Sequence, residues 1–403
     1  MAPEPRPLPV SVRGAVPPFY VMELVKAAAQ RAASHGDVVA LNVGQPATPA
    51  PRAVLDAAHV ALESGALGYT EALGLSSLRE AIARHYADWY GVAVDAGAIA
   101  VTTGSSAGFT AIFLAAFDPG DVVVVTRPGY PAYRNTLAAL GCDVVELDCG
   151  PEVRYQPTVE QLDALAGRLG RAPRGLVLAS PANPTGTVID PAELARISSW
   201  CADAGCLLIS DEIYHGITFG DARAVSALEF GRGAAVIGSF SKFFSMTGWR
   251  LGWAVLPERL VRPVELLLGN LNLCPPAISQ AAASGAFSAE ALGELRGHVR
   301  RYALNRDLLL RRLPDLGVTE FAPPDGAFYG WLDVSHLTRN SYAWSLRLLE
   351  ATGVAVAPGI DFATTGAGGD PRLDGDRFIR ISLCGDTEAL GEGIDRIVGF
   401  AGR

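Results

Sequence analysis

Between residues 98 and 256, short apolar runs alternate with stretches of helical periodicity, and this alternation constrains the fold more than any other feature of the chain. The runs are rich in valine, isoleucine and leucine, and they occupy residues 98–102, 122–126, 143–147, 175–180, 206–210, 235–239 and 251–256. Strands that alternate with helices form a mainly parallel sheet with helices on both faces. The sequence therefore predicts an α/β fold.

Polar segments rich in glycine, proline or serine directly follow five of these runs. They are TGSSAG (103–108), RPGYPAY (127–133), PANPTG (181–186), DEIYHG (211–216) and FSKFFSMTGWR (240–250). In sheets of this kind, ligands bind beyond the carboxyl ends of the strands. We therefore expect these five loops to converge on one site.

The length of 403 residues fits two domains. Residues 278–312 have the pattern of long helices, and residues 313–403 alternate short strands with helices. We predict a large domain over 48–294 and a small C-terminal domain over 295–403. An N-terminal segment, residues 1–47, is predicted to pack with the small domain.

Charge and hydropathy exclude several classes of protein. The net charge of −9 argues against a nucleic-acid binder. Runs of about 18 apolar residues without a charge are absent, so we expect no membrane span. The proline-rich start has no apolar stretch typical of a secretory signal. The six cysteines are scattered without metal-ligand spacing, which predicts reduced thiols in a cytoplasmic protein and no metal site.

Lysine is scarce in this chain. Of the 33 lysines and arginines, only Lys26 and Lys242 are lysines. Lys26 lies in an amphipathic segment, residues 20–34, where a solvent-exposed position explains it. Lys242 lies among apolar and small residues, where burial favours a neutral, nucleophilic amine. The alternative interpretation of Lys242 is a side chain that extends to solvent and remains charged.

The segment Gly104–Gly108 (GSSAG) has two chemical interpretations. As G-x-S-x-G it is the nucleophile turn of a serine hydrolase, with Ser106 as nucleophile and Asp211 with His298 or His336 as partners. As a turn at a helix N-terminus it binds phosphate through backbone N–H groups. The hydrolase interpretation leaves the other four loops without a role.

Several motifs together resemble those of the class I/II aminotransferases, which are pyridoxal-phosphate enzymes of fold type I. The motifs are SPANPTG (180–186), DEIY (211–214), SFSK (239–242) and GWRLG (248–252). The resemblance extends from about Val16 to the C-terminus. The segments PPFYVMELVKAAA, LNVGQPA, GSSAGF, CPPAISQ and GVAVAPGIDF are most similar to an actinobacterial type named as aspartate or valine–pyruvate aminotransferase. The resemblance implies a homodimeric transaminase that acts on an amino acid and a 2-oxo acid.

The resemblance also implies roles around the cofactor ring. Lys242 would hold pyridoxal 5'-phosphate through its amine and then move the proton in catalysis. Asp211 would keep the ring nitrogen protonated. Tyr214 and Asn183 would hydrogen-bond the phenolic oxygen of the ring. Tyr130 would stack on the ring face.

Further residues would bind the phosphate and the substrate. The phosphate would be held by side chains and by a helix that begins near Ala107, the side chains being Ser105, Ser106, Ser239 and Arg250. Tyr69 would reach the phosphate of the neighbouring subunit, so that the active sites are shared. The α-carboxylate of the substrate would be bound by three residues, Arg380, Asn183 and the backbone of Gly44.

The substrate is expected to be neutral. Dicarboxylate-specific relatives often add a second arginine, but the candidate segment Gly269–Gln280 contains no basic residue. Phe19, Tyr20 and Phe109 offer apolar surface instead. This pattern favours valine or alanine, with pyruvate or 2-oxoglutarate as the oxo acid. Aspartate is the alternative, because Arg134 could supply the missing cation.

Two further alternatives share the scaffold. A β-lyase or an oxidase that uses the same cofactor would have the same motifs. A transcription regulator with an aminotransferase-like domain would need an added helix-turn-helix domain, for which there is no room before Val16.

Overall fold

A seven-stranded sheet forms the centre of the computed structural model, which describes residues 10–319, 321–364 and 369–402. Residues 1–9 of the predicted N-terminal segment lie outside the described residues. The strands are β1 (Val39–Ala40), β2 (Ile99–Thr102), β3 (Val122–Arg127), β4 (Asp143–Asp148), β5 (Gly175–Ala179), β6 (Leu207–Asp211), β7 (Ala235–Ser239), β8 (Gly252–Val255), β9 (Tyr329–Asp333), β10 (Val354–Ala355), β11 (Ala357–Pro358) and β12 (Phe378–Ser382). The helices are α1 (Tyr20–His35), α2 (Arg52–Ser64), α3 (Ser76–Tyr90), α4 (Gly104–Ala116), α5 (Pro131–Leu140), α6 (Val159–Leu169), α7 (Pro191–Ala204), α8 (Glu258–Leu271), α9 (Ala277–Ala283), α10 (Ala289–Arg312), α11 (Ser341–Thr352) and α12 (Thr387–Ala401).

The large sheet has the strand order β2-β8-β7-β6-β5-β3-β4. Strands β3 to β7 pair with one another in parallel, and β4 lies at one edge. Strand β8 is antiparallel to both β7 and β2. Each apolar run predicted between 98 and 256 is one of these strands, which confirms the predicted α/β fold.

Alternate residues of the large sheet lie in two hydrophobic cores. Val123, Val125 and Ile209 belong to one core, and Val124 and Leu208 belong to the other. Both faces are therefore covered, which explains why the strands are continuous apolar runs rather than alternating ones.

A three-stranded antiparallel sheet, β11-β12-β9, is built from the C-terminal part of the chain. Arg380 on β12 is in register with Trp331 on β9 and Ala357 on β11. Strand β1 pairs in parallel with β10, which places the N-terminal region beside this part of the chain. The domain boundaries at 47/48 and 294/295 stay predictions. Each helix in the described ranges is too short or too polar to cross a lipid bilayer.

Candidate active site

The loops that follow the strands of the large sheet meet around a cavity of about 550 Å³. This volume is typical of small-molecule sites. Ten of the residues predicted from the sequence line it: Gly44, Ser105, Ser106, Tyr130, Asn183, Asp211, Tyr214, Lys242, Arg250 and Arg380. The structure therefore brings most of the predicted site together.

Lys242 lies three residues beyond the end of β7, and its Nζ donates a hydrogen bond to the carbonyl oxygen of Gly44 at 2.7 Å. Burial, together with the positive charges of Arg380 and Arg250, lowers the pKa of Lys242 to about 8. A lysine with such a pKa has a substantial neutral fraction near neutral pH. The amine is thus suited to nucleophilic attack and to proton transfer.

Asp211 is the last residue of β6 and is buried. Its Oδ1 accepts a hydrogen bond from the backbone N–H of Ile213 at 3.1 Å, and its Oδ2 accepts one from the hydroxyl of Tyr133. Burial raises the pKa of Asp211 to about 6, against the opposing effect of these hydrogen bonds and of Lys242. A protonated ring nitrogen beside this carboxylate would supply a cationic partner at low dielectric.

Arg380 is buried between two aromatic rings. Its guanidinium carbon lies 4.3 Å from the ring centre of Tyr329 and 4.6 Å from that of Phe362. Nη1 donates to Oδ1 of Asn183 at 2.8 Å and Nη2 donates to the carbonyl oxygen of Asn42 at 2.7 Å. Nε has no partner among the described residues. A buried guanidinium that forms no ion pair with the described residues is well suited to bind a carboxylate from a ligand.

Tyr214 and Tyr329 form a buried hydroxyl pair beside Lys242. Their hydroxyl oxygens are 2.6 Å apart, and Nζ of Lys242 lies 5.8 Å from the ring centre of Tyr214. Burial raises the pKa of Tyr214 well above its ordinary value, so this side chain stays a neutral phenol. It can therefore donate a hydrogen bond within the cavity.

The opposite end of the cavity combines a helix N-terminus with a cation. Helix α4 begins at Gly104, three residues before the predicted start near Ala107, so Ser105 and Ser106 lie in its first turn. The backbone of Gly104 has φ of +71°, and a Cβ there would lie 3.0 Å from Cζ of Arg250. A glycine is needed at this position for both reasons. The free N–H groups of the first helical turn and the guanidinium together favour an anion.

Three predicted residues do not line the cavity: Ala107, Ser239 and Tyr69. Ser239 is buried, and its Oγ accepts a hydrogen bond from the backbone N–H of Ser241 at 3.0 Å. Ser241 lines the cavity in its place. Tyr69 is 86% exposed. The roles of these three residues stay predictions.

Helix α1 and the residue before it supply an apolar wall of the cavity, made of Phe19, Val21, Met22 and Val25. Phe109 also lines the cavity, whereas Tyr20 does not and instead packs on Tyr342 at 4.6 Å between ring centres. The expectation that Tyr20 offers apolar surface there is therefore wrong. Its ring is directed to α11 by the helical turn that places Phe19 and Val21 at the cavity.

Arg134 is committed elsewhere. Its Nη1 forms an ion pair with Oε1 of Glu146 at 2.8 Å, and it does not line the cavity. Lys242, Arg250 and Arg380 are the cations among the described residues that line the cavity. The segment Gly269–Gln280 lies outside that lining as well, although Pro276 lines a neighbouring hollow beside Arg250.

Nothing in the described part of the chain supports a hydrolase base next to Ser106. None of the six histidines lines the cavity. Nδ1 of His298 lies 3.2 Å from Oγ of Ser245, and Nε2 of His336 lies 3.0 Å from the carbonyl oxygen of Leu316. Ser106 thus lacks the partner that would activate it. Groups of three or more His, Cys, Asp or Glu able to hold a metal ion are absent from the described residues.

The sequence reasoning named Phe19 and Phe109, which line the cavity, but it missed Tyr133, Tyr329 and the part of the wall that Val21, Met22 and Val25 form. Tyr133 follows Tyr130 by three residues, and this helical spacing is a signal that could have placed both on one side of α5. Tyr329 and α1 reach the cavity only through contacts between distant parts of the chain, for which the sequence contains no local signal.

Comparison with known proteins gives similarity over nearly the whole chain. The family profile described as "Aminotransferase class I and II" matches residues 36–397. A valine–pyruvate aminotransferase from Mycobacterium tuberculosis is 50% identical over 389 residues, which are 96% of this chain and 97% of that protein. An aspartate/prephenate aminotransferase from Thermus thermophilus is 31% identical over 371 residues, which are 91% and 92% of the two chains.

A solved structure agrees with these sequence similarities. The crystal structure of an aminotransferase from Mycobacterium tuberculosis matches with a TM-score of 0.93 and 48% identity, covering 98% of this chain and 100% of that one. The match thus includes both the large sheet and the three-stranded sheet.

Proposed function

Because the chain belongs to the class I and II aminotransferases, and is therefore a pyridoxal-phosphate-dependent transaminase, we propose that it acts on a neutral, apolar amino acid. Valine or alanine is the donor, and pyruvate or 2-oxoglutarate is the oxo acid. The observation that carries this proposal is the apolar wall from α1, together with the absence of an uncommitted cation beside it in the described residues. The relative that is 50% identical is named for valine and pyruvate, which supports the same choice.

The residues that line the cavity fit the cofactor. A buried carboxylate, a lysine amine and an anion-binding helix N-terminus lie along one cavity, as a ring nitrogen, an aldehyde and a phosphate require. When bound, pyridoxal phosphate withdraws electrons from the α-carbon of the amino acid. Every other part of the chemistry depends on how the chain's own residues bind, orient and transfer protons.

Lys242 holds the cofactor and moves the proton. Burial keeps its pKa near 8, so the amine can accept a proton and return it at nearly the same free energy near neutral pH. Its hydrogen bond to the Gly44 carbonyl, which lies beside the Arg380 site, directs Nζ toward the place where an amino acid binds.

Asp211 and Tyr214 tune the ring. The carboxylate of Asp211 holds a proton on the ring nitrogen, and Tyr133 and Ile213 fix the carboxylate's orientation. Tyr214 would donate a hydrogen bond to the phenolic oxygen, together with the side chain of Asn183. Tyr130 would pack against the ring face.

The phosphate is bound by the N-terminus of α4 and by Arg250. Ser105 and Ser106 add hydroxyl donors, and Ser241 lines the same end of the cavity. Ser239 acts here by holding the backbone of Ser241. At the other end, Arg380 binds the α-carboxylate of the substrate, with Asn183 fixing the guanidinium plane.

The active form is a homodimer with shared sites. Tyr69 is 86% exposed in one chain, and Leu271 and Leu273 are about half exposed. Exposed apolar side chains of this size are typical of interfaces. Tyr69 reaches the phosphate of the partner, so Tyr69→Phe weakens cofactor binding while light scattering still gives twice the mass of one chain. A cytoplasmic location is proposed as well, because all six cysteines are free thiols.

The test of the substrate is a comparison of kcat/KM on one preparation of holoenzyme. An unpaired carboxylate in an apolar pocket costs several kcal/mol, whereas each buried methyl contributes about 0.8 kcal/mol. Valine or alanine with pyruvate is expected to exceed aspartate with 2-oxoglutarate by about tenfold or more. A tenfold preference for aspartate would contradict the proposal.

A covalent label tests the role of Lys242 independently of the substrate. Borohydride treatment is expected to fix the cofactor on the peptide that contains Lys242. The matched control is Lys26→Ala, which removes the other, exposed lysine and is expected to leave the labelling unchanged. Labelling lost from the Lys26→Ala protein would overturn the assignment.

A further inference from the structure

The carboxylate of Asp361 caps the first turn of helix α1 from a distant part of the chain. Its Oδ1 accepts a hydrogen bond from the backbone N–H of Tyr20 at 2.9 Å, and its Oδ2 accepts one from that of Val21 at 2.7 Å. The residue preceding the helix, Phe19, provides no side-chain cap. Asp361 thus does for α1 what a local serine or aspartate does for other helices.

This cap is buried and charged. Asp361 is 3% exposed, and burial raises its pKa to about 6, against the opposing effect of the two backbone hydrogen bonds and of the guanidinium groups of Arg380 and Arg134. The carboxyl group is therefore mostly ionised at neutral pH. A carboxylate that accepts two backbone N–H groups at a helix N-terminus forms strong, directional hydrogen bonds. The start of α1 is therefore fixed in position rather than resting on the surface.

The helix that Asp361 caps is the apolar wall of the cavity. Phe19, Val21, Met22 and Val25 line it from this side. The ring of Phe19 also meets Tyr130 edge to face, with 6.1 Å between ring centres.

The turn that contains Asp361 also contacts the substrate arginine. Phe362, the next residue, lies against the guanidinium of Arg380 at 4.6 Å. Its carbonyl oxygen accepts a hydrogen bond from the backbone N–H of Gly129 at 2.8 Å, directly before Tyr130. One short turn thus joins three parts of the site: the apolar wall, the carboxylate-binding arginine and the loop of Tyr130.

We propose that Asp361 is a positioning residue for substrate selection. By anchoring α1, it sets the distance between Arg380 and the apolar wall, and so determines which side chains gain affinity when the carboxylate is bound. This inference rests on the proposed function in one respect, which is that the apolar wall contacts the side chain of the bound amino acid. Asp361 thereby controls how strongly the site prefers a ligand with a branched side chain to one with a small side chain.

The experiment uses two ligands that need no catalysis. Propionate and 3-methylbutanoate correspond to alanine and valine without the amino group, and their dissociation constants on the holoenzyme are measured by competition. Two additional buried carbons give the wild-type protein a preference of about tenfold for 3-methylbutanoate. Asp361→Asn is isosteric but cannot accept both N–H groups, so the preference is expected to fall to about twofold or less. The ratio cancels any general effect of the lost charge on Arg380.

A second readout follows the helix itself. Hydrogen exchange of the peptide over residues 16–35 is expected to become faster in Asp361→Asn, with the rest of the chain unchanged. The matched control is Asp190→Asn, because Asp190 caps α7 through the backbone N–H groups of Ala192 and Glu193, away from the cavity. It is expected to leave the ligand preference and the exchange of α1 unchanged.

Asp361→Glu, which retains the charge but displaces the carboxylate by one methylene, keeps the proposal testable if Asp361→Asn does not fold, because a displaced cap is also expected to lower the preference for 3-methylbutanoate. Met22→Ala tests the wall itself. Met22 is 57% exposed, so its removal is tolerated, and it shortens the wall while Asp361 stays in place. A lower preference for 3-methylbutanoate is expected, and in the double variant the two effects are not additive. An unchanged preference in Asp361→Asn, or equal losses for both ligands, overturns the proposal. If aspartate proves to be the preferred substrate, the proposed function fails, yet the ratio of the two monocarboxylates still decides the role of Asp361.

Discussion

Asp211 and Glu212 are neighbours in the chain, yet they lie on opposite sides of the large sheet's edge. Asp211 lines the cavity, whereas Glu212 lines a small hollow among His85, Tyr90 and His215. Oε1 of Glu212 accepts hydrogen bonds from three donors, namely Oγ of Ser210, Oγ of Ser226 and the backbone N–H of Ala227. Asp211 ends β6 and Glu212 is the next residue, so the two buried carboxyl groups have different surroundings.

Burial raises the pKa of both groups, and the two groups differ in their hydrogen-bond donors and in the sign of the nearest charge. Lys242 is close enough to Asp211 to favour its ionised form, and burial raises its pKa only to about 6. Burial raises the pKa of Glu212 to about 8, with the negative charge of Asp211 adding to the rise. Burial also lowers the pKa of its neighbour His215 to about 3, so that no cation faces Glu212 there. One carboxyl group is prepared to pair with a cation, and the other is a neutral structural acid.

Removing the charge of Asp211 is expected to have the largest effect. Asp211→Asn cannot hold a proton on a ring nitrogen, so the rate should fall on the order of 10³-fold, equivalent to about 4 kcal/mol in the barrier. The cofactor should stay bound, because the phosphate and Lys242 contacts are unchanged. Single-turnover rates together with cofactor absorbance measure both properties. Near-normal turnover would rule out the role of Asp211.

Removing the hydroxyl of Tyr133 is expected to have an intermediate effect. Tyr133→Phe deletes one donor to Asp211 but keeps the ring, and one charge-assisted hydrogen bond corresponds to about tenfold in kcat/KM. This hydrogen bond lowers the pKa of Asp211, so its loss raises that pKa. The acidic limb of the pH–rate profile should therefore move to higher pH. A lower rate with an unmoved profile would mean that Tyr133 acts through packing alone.

The corresponding change at Glu212 is expected to have the smallest effect on catalysis. Glu212→Gln keeps the acceptor atom for Ser210, Ser226 and Ala227, and kcat/KM should change by less than about twofold. The contrast with Asp211→Asn tests whether the two carboxyl groups differ in charge. A large loss of activity in Glu212→Gln would mean that Glu212 is ionised in the folded protein.

The pH dependence of the free energy of unfolding should show whether Glu212 is protonated in the folded protein. The folded protein retains the Glu212 proton up to about pH 8, whereas an unfolded glutamate loses it near its ordinary pKa of 4.5. The bound proton of Glu212 therefore stabilises the folded protein in full below pH 4.5. This stabilisation is lost as the pH rises toward 8. Glu212→Gln has no such proton, so its stability relative to wild type should rise over this range by about a few kcal/mol. Denaturant titrations at pH 5 and pH 8 measure this difference. Glu212→Ala also loses the hydrogen-bond acceptor, so it should be less stable than Glu212→Gln at both pH values.

The fold could be predicted from the sequence because buried parallel strands leave a continuous apolar signal. The run at 122–126 and the strand Val122–Arg127 differ by one residue. Lys242 could likewise be found, because one lysine in apolar sequence is unusual and burial has a direct chemical consequence. Both the apolar runs and the apolar neighbours of Lys242 are local features, so they can be recognised in the sequence.

The rest of the site depends on which side a residue faces and on distant contacts. Ser239 and Ser241 are the same type of residue, two positions apart, so the sequence does not distinguish them. Only the path of the backbone after β7 places Ser241, and not Ser239, in the cavity lining. Tyr20 and Phe19 are adjacent aromatic residues, and only Phe19 reaches the cavity because α1 turns the other toward α11. Asp361 and Val21 are 340 residues apart, and no pattern near either residue indicates their contact.

That separation also determines when the N-terminal helix can find its place. On the ribosome, α1 emerges early, but the carboxylate that caps it is made 340 residues later. At about 5–20 residues per second, the wait is roughly 20–70 s. During this time Leu24 and Ala28 lack Leu349 and Ala355, against which they pack in the finished protein. The nascent chain is therefore expected to expose the apolar side of this amphipathic helix for most of its synthesis, and the apolar wall of the cavity is among the last parts of the enzyme to be built.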